Sequence, residues 1–136
     1  MGRALTACVF CDRVASGDVM VANELAAAFP DGFPLTPGHT LVVPRRHEAD
    51  YFALTRDEQT AVWELVNAMR DRLAGEHRPG GFNLGVNVGA AGGQTVGHVH
   101  IHLIPRYAGD VDDPRGGIRW IIPARARYWE QSAPGR

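Results

Sequence analysis

The chain is predicted to fold as a single α+β domain, an antiparallel sheet of about five strands with one main helix packed on it. Three observations predict this: helical spacing of apolar residues after a capping box at Thr55, strict alternation at 82–88, and short apolar runs bounded by Pro and Gly.

The elements follow in order. Residues 19–21 and 25–29 are apolar runs split by Asn23 and Glu24, which predicts a hairpin. Residues 30–38, rich in Pro and Gly, read as a loop. Thr40-Leu-Val-Val is a short buried strand, with Pro44 as its stop. Thr55 and Glu58 have the spacing of a reciprocal cap, and Val62, Leu65, Val66, Met69 and Leu73 then recur at helical intervals to an expected end near Gly75. Phe82, Leu84, Val86 and Val88 alternate with Asn83, Gly85 and Asn87, the pattern of a strand with one apolar face. After a small-residue loop at 89–93, residues 96–104 read as the antiparallel partner, ended by Pro105.

The chain has 136 residues, the size of one domain, with a core over about 8–106 and an extension over about 107–136. Apolar residues make up 45% and charged residues 21%, with a net charge of −1. That balance gives no global attraction to nucleic acid or to a membrane surface, so affinity for phosphate has to come from a local site. No run approaches the roughly 20 apolar residues of a membrane span. The first ten residues lack the apolar core of a secretion signal, so a cytoplasmic location is expected. The tail 131–136 is small and polar and is expected to fray. Cys8 and Cys11 lie too close together to staple much chain; their spacing suits a metal or redox pair.

The chemistry concentrates in His98, His100 and His102. On an extended strand they form a row on one face, about 6.5–7 Å apart. Such a row suits either a catalytic metal or a histidine that acts as nucleophile and proton carrier. The surroundings favour the second: no Asp or Glu occurs from His77 to Gly109. Metal hydrolases usually bring a carboxylate close, whereas a phosphate site does better without fixed negative charge. The loop 89–93 can also turn backbone N–H groups toward an anion.

The run His98-Val-His100-Ile-His102-Leu-Ile resembles the signature of the histidine-triad (HIT) family of nucleotide hydrolases and transferases. The likeness extends to Gly93-Gln94-Thr95-Val96, to Asn87, to Pro37-Gly38-His39-Thr-Leu-Val-Val-Pro44 and to Phe29-Pro-Asp31, and it spans about residues 8–106. The resemblance implies a HIT-like fold and a role for each residue. His100 would be the nucleophile that takes the nucleoside monophosphate. His102 would contact the phosphoryl oxygens, and Gln94 and Thr95 would lie near the phosphate or leaving group, with Gly93 in the same turn. Asn87 would be a polar nucleotide contact, Asp31 would accept from the ribose hydroxyls, Phe10 and Val19 would wall the base, and His39 would support the triad from behind. Neutral imidazole is a usable nucleophile near pH 7 if its second nitrogen gives its proton to an acceptor, often a backbone carbonyl.

The same resemblance, to members with a bound zinc, implies a structural zinc on Cys8, Cys11, His47 and His98, with His39 as the alternative to His47; no organic cofactor is implied. Arg45 and Arg46 read as a solvated pair, and Arg106 as a candidate polyphosphate contact. The aromatic extension, with Trp120, Tyr128 and Trp129, either packs on the core or crosses a dimer partner and shapes the leaving-group side. A homodimer is expected, with the helix face of Val62, Trp63, Val66, Met69 and Arg70 shared between core and partner. The functional expectation is an enzyme acting at the α-phosphate of a nucleotide, a purine nucleotide foremost, as a dinucleoside polyphosphate such as diadenosine tetraphosphate or as a nucleoside phosphoramidate. The rivals are a nucleotide-binding regulatory protein with negligible turnover and a metal-dependent hydrolase using the histidine row as ligands.

Overall fold

The computed structural model describes residues 8–132; the N-terminal seven residues and the last four, with most of the tail expected to fray, lie outside the described residues. Five strands form one antiparallel sheet in the order β1-β2-β3-β5-β4. They are β1 (Val21–Ala22), β2 (Ala26–Pro30), β3 (Thr40–Pro44), β4 (Gly81–Val86) and β5 (Ile101–Arg106). The main helix α2 (Arg56–His77) lies across one face, so the predicted architecture stands.

Local chemistry explains the elements. Asn23 turns the β1–β2 hairpin: its Oδ1 accepts from the N–H groups of Leu25 and Ala26, and its Nδ2 donates to Ala61 O on α2. The reciprocal cap of α2 is present, with Glu58 N–H on Thr55 Oγ1 and Thr55 N–H on Glu58 Oε1. Gly75 does not end the helix. It runs on to His77, and Arg78, with φ of 51°, takes the left-handed stop. Val62, Val66 and Met69 are core residues at 0–1% exposure, so of the face expected to be shared with a partner only Trp63 and Arg70 point outward.

Two expectations change. Residues 96–100 are not strand. β3 and β4 both begin pairing with β5 at Ile101, and Val99 N–H is donated instead to Glu48 O at 2.7 Å. At the other end β5 runs past Pro105. Beyond Leu103 β3 no longer pairs with β5, so that stretch is a sheet edge, where the N–H that proline lacks is tolerated.

The sheet is also covered on more than the helix side. β2 is buried from Ala26 to Phe29 and β3 throughout, without alternation. Ala26, Ala28, Val42, Ile101 and Leu103 pack under α2. Ala27, Phe29, Leu41 and Val43 pack on the opposite side with Cys8 and Phe10, the latter on a helix the sequence pattern did not disclose, α1 (Val9–Ser16). Cys8 caps that helix through its sulfur, and Gly17, at φ of 74°, closes it by donating to the Arg13 and Val14 carbonyls. Past β5, a 3-10 turn at Gly117–Ile121 and a short helix α3 (Pro123–Ala126) fold back toward β4 of the same chain. Of the two placements expected for this extension, packing on the chain's own core is observed over the described residues. No helix among them is long and apolar enough to cross a membrane.

Candidate active site

A hollow of about 650 Å³ opens on the α1 side of the sheet, within the range of small-ligand sites. Its floor is apolar: Phe10 from α1, Phe29 from β2 and Leu41 from β3, with the Phe10 and Phe29 rings 5.5 Å apart. Its polar wall is Asp31, His39, His100, His102, Asn87 and Thr95, six of the residues singled out from sequence. Strand alternation puts His102 on this face because its neighbours Ile101 and Leu103 are buried at 0% under α2.

Each histidine is held by one nitrogen, and the partner fixes which nitrogen carries the proton. His100 Nδ1 lies 2.8 Å from His98 O; a carbonyl only accepts, so Nδ1 is protonated and Nε2 keeps its lone pair. His98 donates from Nε2 to Pro44 O at 2.7 Å, leaving its Nδ1 lone pair toward the cysteines. His39 Nδ1 accepts from Leu35 N–H at 3.0 Å, so its Nε2 carries the proton and faces His102 Nδ1 at 3.0 Å. His102 therefore keeps its own proton on Nε2, as a hydrogen-bond donor. Burial, reinforced by the neighbouring His100 and His39, pushes the His102 pKa down to about 4 against the opposing pull of Asp31. Burial likewise lowers His39 and His98. The expected row on one strand is not formed: only His102 stands in β5, and His98 and His100, in the segment before it, are 0% and 6% exposed.

Asp31 enters the site from the loop after β2. Its Oδ1 accepts from Phe33 N–H at 2.8 Å, and Oδ2 lies 3.3 Å from His39 Nε2 and 3.9 Å from His102 Nδ1. A carboxylate is thus present after all, supplied by chain far from the acid-free stretch 77–109. The contact of 3.0 Å between the two imidazoles is that of a hydrogen bond, closer than the roughly 3.3 Å of two nitrogens sharing one tetrahedral ion at ordinary lengths.

Three singled-out residues lie off the wall. Val19 packs behind Phe10 and Phe29 as part of the apolar cluster. Gly93 is exposed at the end of the loop turn, at φ of 89°, and donates its N–H to Ala90 O. Gln94 has its amide engaged by backbone: Oε1 accepts from Gly89 N–H, and Nε2 donates to Ala49 O and Val96 O. It braces the loop against the segment that carries His47. Sequence reading missed Val9, Arg13, Phe33, Leu35 and Leu41 on the wall. For Leu41 a signal existed, since a strand with no polar alternation needs cover on both faces.

Behind the hollow, Cys8, Cys11, His47 and His98 converge, with ligand atoms all within 4.8 Å of one another. Cys8 Sγ to His98 Nδ1 is 3.3 Å, Cys11 Sγ to His98 Nδ1 is 3.4 Å and Cys11 Sγ to His47 Nδ1 is 3.3 Å. Ligands on one tetrahedral zinc at ordinary Zn–S and Zn–N lengths stand about 3.5 Å apart, so this donor set fits such an ion. His39 belongs to the other cluster, with Asp31 and His102. Arg45 and Arg46 are exposed as expected, and Arg46 is also ion-paired: it grips Glu58 through two contacts of 2.9 Å, which with burial opposing holds that carboxyl near pKa 2. Arg106 is also engaged, by Asp110 and Asn83.

Comparison with known proteins agrees with the geometry. The HIT domain family model matches residues 12–109. An HIT-like protein of Mycoplasma genitalium is 39% identical over 75% of this chain and 74% of its own. The bifunctional bis(5'-adenosyl)-triphosphatase/adenylylsulfatase of Arabidopsis thaliana is 37% identical over 70% of this chain; the match spans only 53% of that protein. AP-4-A phosphorylase of Mycobacterium tuberculosis is 34% identical, with 71% of this chain and 50% of that enzyme covered. Among solved structures, a HIT family protein from Bacillus anthracis superposes with a TM-score of 0.68 at 39% identity, covering 76% of both chains. The sequence match over most of the chain, the shared fold and the arrangement of the histidines lead to one conclusion: this chain belongs to the HIT family.

Proposed function

We propose that the protein is a nucleotidyl hydrolase or transferase that attacks the α-phosphate of a nucleotide with His100. The observation that carries this reading is the hydrogen bond from His100 Nδ1 to His98 O, which leaves Nε2 as a lone-pair nitrogen on the wall of the hollow. Nε2 bonds to phosphorus as the bond to the leaving group breaks, and the leaving group departs with the bonding pair and takes a proton from water. A water molecule then breaks the P–Nε2 bond, releasing the nucleoside monophosphate and restoring the imidazole. His102 Nε2–H serves as donor to the non-bridging oxygens, where charge builds. The apolar floor of Phe10, Phe29 and Leu41 takes a flat base, and Asp31 reads the ribose.

Relatives named for bis(5'-adenosyl)-triphosphatase and AP-4-A phosphorylase activity support dinucleoside polyphosphates as one substrate class; nucleoside phosphoramidates are the other. The deciding experiment is a turnover screen across both classes with product identification, run beside trapping of a nucleotidylated His100. Turnover without a histidine-linked intermediate sinks the reading.

The proposal includes a structural zinc on Cys8, Cys11, His47 and His98, and a cytoplasmic homodimer. Four protein ligands leave no open position, so the ion would act by holding His98, whose carbonyl orients His100. Metal analysis should find about one zinc per chain, lost together with melting temperature in Cys8→Ser. For the dimer, β4 is an edge strand with Leu84 exposed, and pairing with its twin would cover it.

A further inference from the structure

We infer that Arg13 reads the edge of the base and makes guanine nucleotides, rather than adenine nucleotides, the preferred ligands of the histidine hollow. The inference rests on the reading of that hollow as a nucleotide site, with the base on its apolar floor.

Arg13 is the one arginine or lysine among the described residues that line the hollow. Its place along α1 sets it apart from the phosphate end. The helix starts at the triad, since Sγ of its capping residue Cys8 stands 3.3 Å from His98 Nδ1. Phe10 follows, with its ring centroid 5.0 Å from that of His100. Arg13 is the i+3 neighbour of Phe10 on the same helix face, about 7.5 Å along the axis from Cys8. A nucleotide with its phosphorus at His100 Nε2 and its base against Phe10 and Phe29 therefore turns the edge of the base, not the phosphate, toward Arg13.

The guanidinium is held in place before any ligand arrives. Its Cζ lies 4.5 Å over the centroid of the Phe29 ring, so stacking restrains its plane. Its Nε donates to Asp18 O at 3.2 Å and lies 3.1 Å from Asp18 Oδ2. Asp18 is fixed in turn, since its own N–H donates to Arg13 O at 3.1 Å, and it does not line the hollow. Nη1 and Nη2 have no hydrogen-bond partner among the described residues. One side of the fork is thus spent on the loop after α1, and two donors remain on a side chain that is only 30% exposed.

Two coplanar donors suit two adjacent acceptors. Guanine presents O6 and N7 side by side; adenine presents N7 beside the N6 amino group, a donor that would face the cation. The rest of the floor is apolar, from Phe10, Phe29 and Leu41, and rewards any flat base by burial alone. Discrimination between purines therefore falls to the one charged group at that end. An adenine there leaves the arginine's donors unpaired against another donor, and such mismatches discriminate more strongly than differences in apolar contact. A lysine would not serve, because its single ammonium offers no fixed pair of donors.

The test is calorimetric binding of GMP, AMP, inosine 5′-monophosphate and 7-deaza-GMP to the full-length protein, with ribose 5-phosphate as a control that lacks the base. The same set is run on Arg13→Leu and Arg13→Lys. The wild type should bind GMP and inosine 5′-monophosphate about tenfold tighter than AMP, the lower part of what a bidentate arginine–guanine pair discriminates. It should bind 7-deaza-GMP, which lacks the N7 acceptor, several-fold more weakly than GMP. Arg13→Leu should bring GMP and AMP within about twofold of each other, and Arg13→Lys should restore little of the difference. Equal affinity for GMP and AMP in the wild type, or a preference that survives Arg13→Leu, overturns the inference. An equal loss of ribose 5-phosphate affinity in that variant overturns it too and makes Arg13 a phosphate contact. Should a variant fail to fold, the analogues on the wild type still decide: undiminished binding of 7-deaza-GMP overturns the paired contact. If no nucleotide binds, the nucleotide reading of the hollow fails and takes this inference with it. If nucleotides bind without regard to base, this inference alone falls, and if GMP is preferred but nothing turns over, the nucleophile reading fails while Arg13 stands as the base reader.

Discussion

The two sides of the sheet are built from the same strands by opposite rules. Between α2 and the sheet the packed residues are mainly apolar, from Ala26 and Val42 through Val62, Val66, Met69 and Leu73 to Ile101 and Leu103, with Thr40 buried at 1% beside them. On the α1 side, apolar Phe10, Phe29, Leu41 and Val43 share their space with His39, His98 and His100, all buried. Buried imidazoles are tolerated because each has a partner on one nitrogen. The side that stabilises needs only volume and apolarity. The side proposed for chemistry needs every polar atom placed, and β5 serves both by alternation.

The sharpest way to break this comparison is His100→Ala. It should lower turnover by at least about a thousandfold, the scale of losing a nucleophile, while the melting temperature moves by only a few degrees. Activity within tenfold of wild type would end the division of labour. The converse is Met69→Ala, at a fully buried position on the sheet-facing side of α2. It should cost about 2–5 kcal/mol in denaturant midpoint analysis, and the protein that remains folded should bind nucleotide as before. A weakened ligand affinity would mean that the two sides are coupled.

Asp31→Ala tests the polar side alone. Charge-assisted hydrogen bonds are worth about 1.5–3 kcal/mol, so ribonucleotide affinity should fall by roughly ten- to a hundredfold. The loss should be much smaller for the 2′-deoxyribonucleotide. Because Oδ2 already lies near His39, a mutant that keeps its full preference for ribose would reduce Asp31 to a brace for the histidines.

The mildest effect is on acid stability. His102, at about 4 in the fold against 6.5 for free imidazole, binds fewer protons folded than unfolded across that window, so stability declines as pH falls from about 6.5 to 4. Glu58, lowered from 4.5 to about 2, adds a second decline as pH drops through that lower range. Urea midpoints at pH 7 and 5 should differ in the wild type and differ less in His102→Asn. An unchanged difference in that variant would show that His102 contributes nothing to the titration of stability.

Much was legible before any coordinates. The Thr55–Glu58 cap, the helix it starts and the alternation at 82–86 depend on neighbours three, four or two residues away, and such signals are local. The triad could be picked out because three histidines spaced two apart rarely occur together without a chemical role. The failures were equally physical. Helix α1 is only eight residues long and is capped by a cysteine sulfur, an unusual cap to read from sequence. The stretch 96–100 has a strand pattern, yet it gives its Val99 N–H to Glu48, a partner invisible to periodicity.

By itself, then, the sequence determined the α+β class, the sheet's apolar face and the long helix, since composition and period carry that information, while the family resemblance supplied Asp31, His39, Asn87 and Thr95 on the wall beside the histidines. Only the tertiary structure decided which nitrogen of each histidine is bare. It brought Asp31 to the triad and His47, rather than His39, to the cysteines. It also committed Gln94 and Arg106 to partners within the chain and laid the extension on its own β4. The reason is that hydrogen bonds and ion pairs between residues 40 to 90 positions apart depend on how the sheet brings them together, and no local pattern encodes that register.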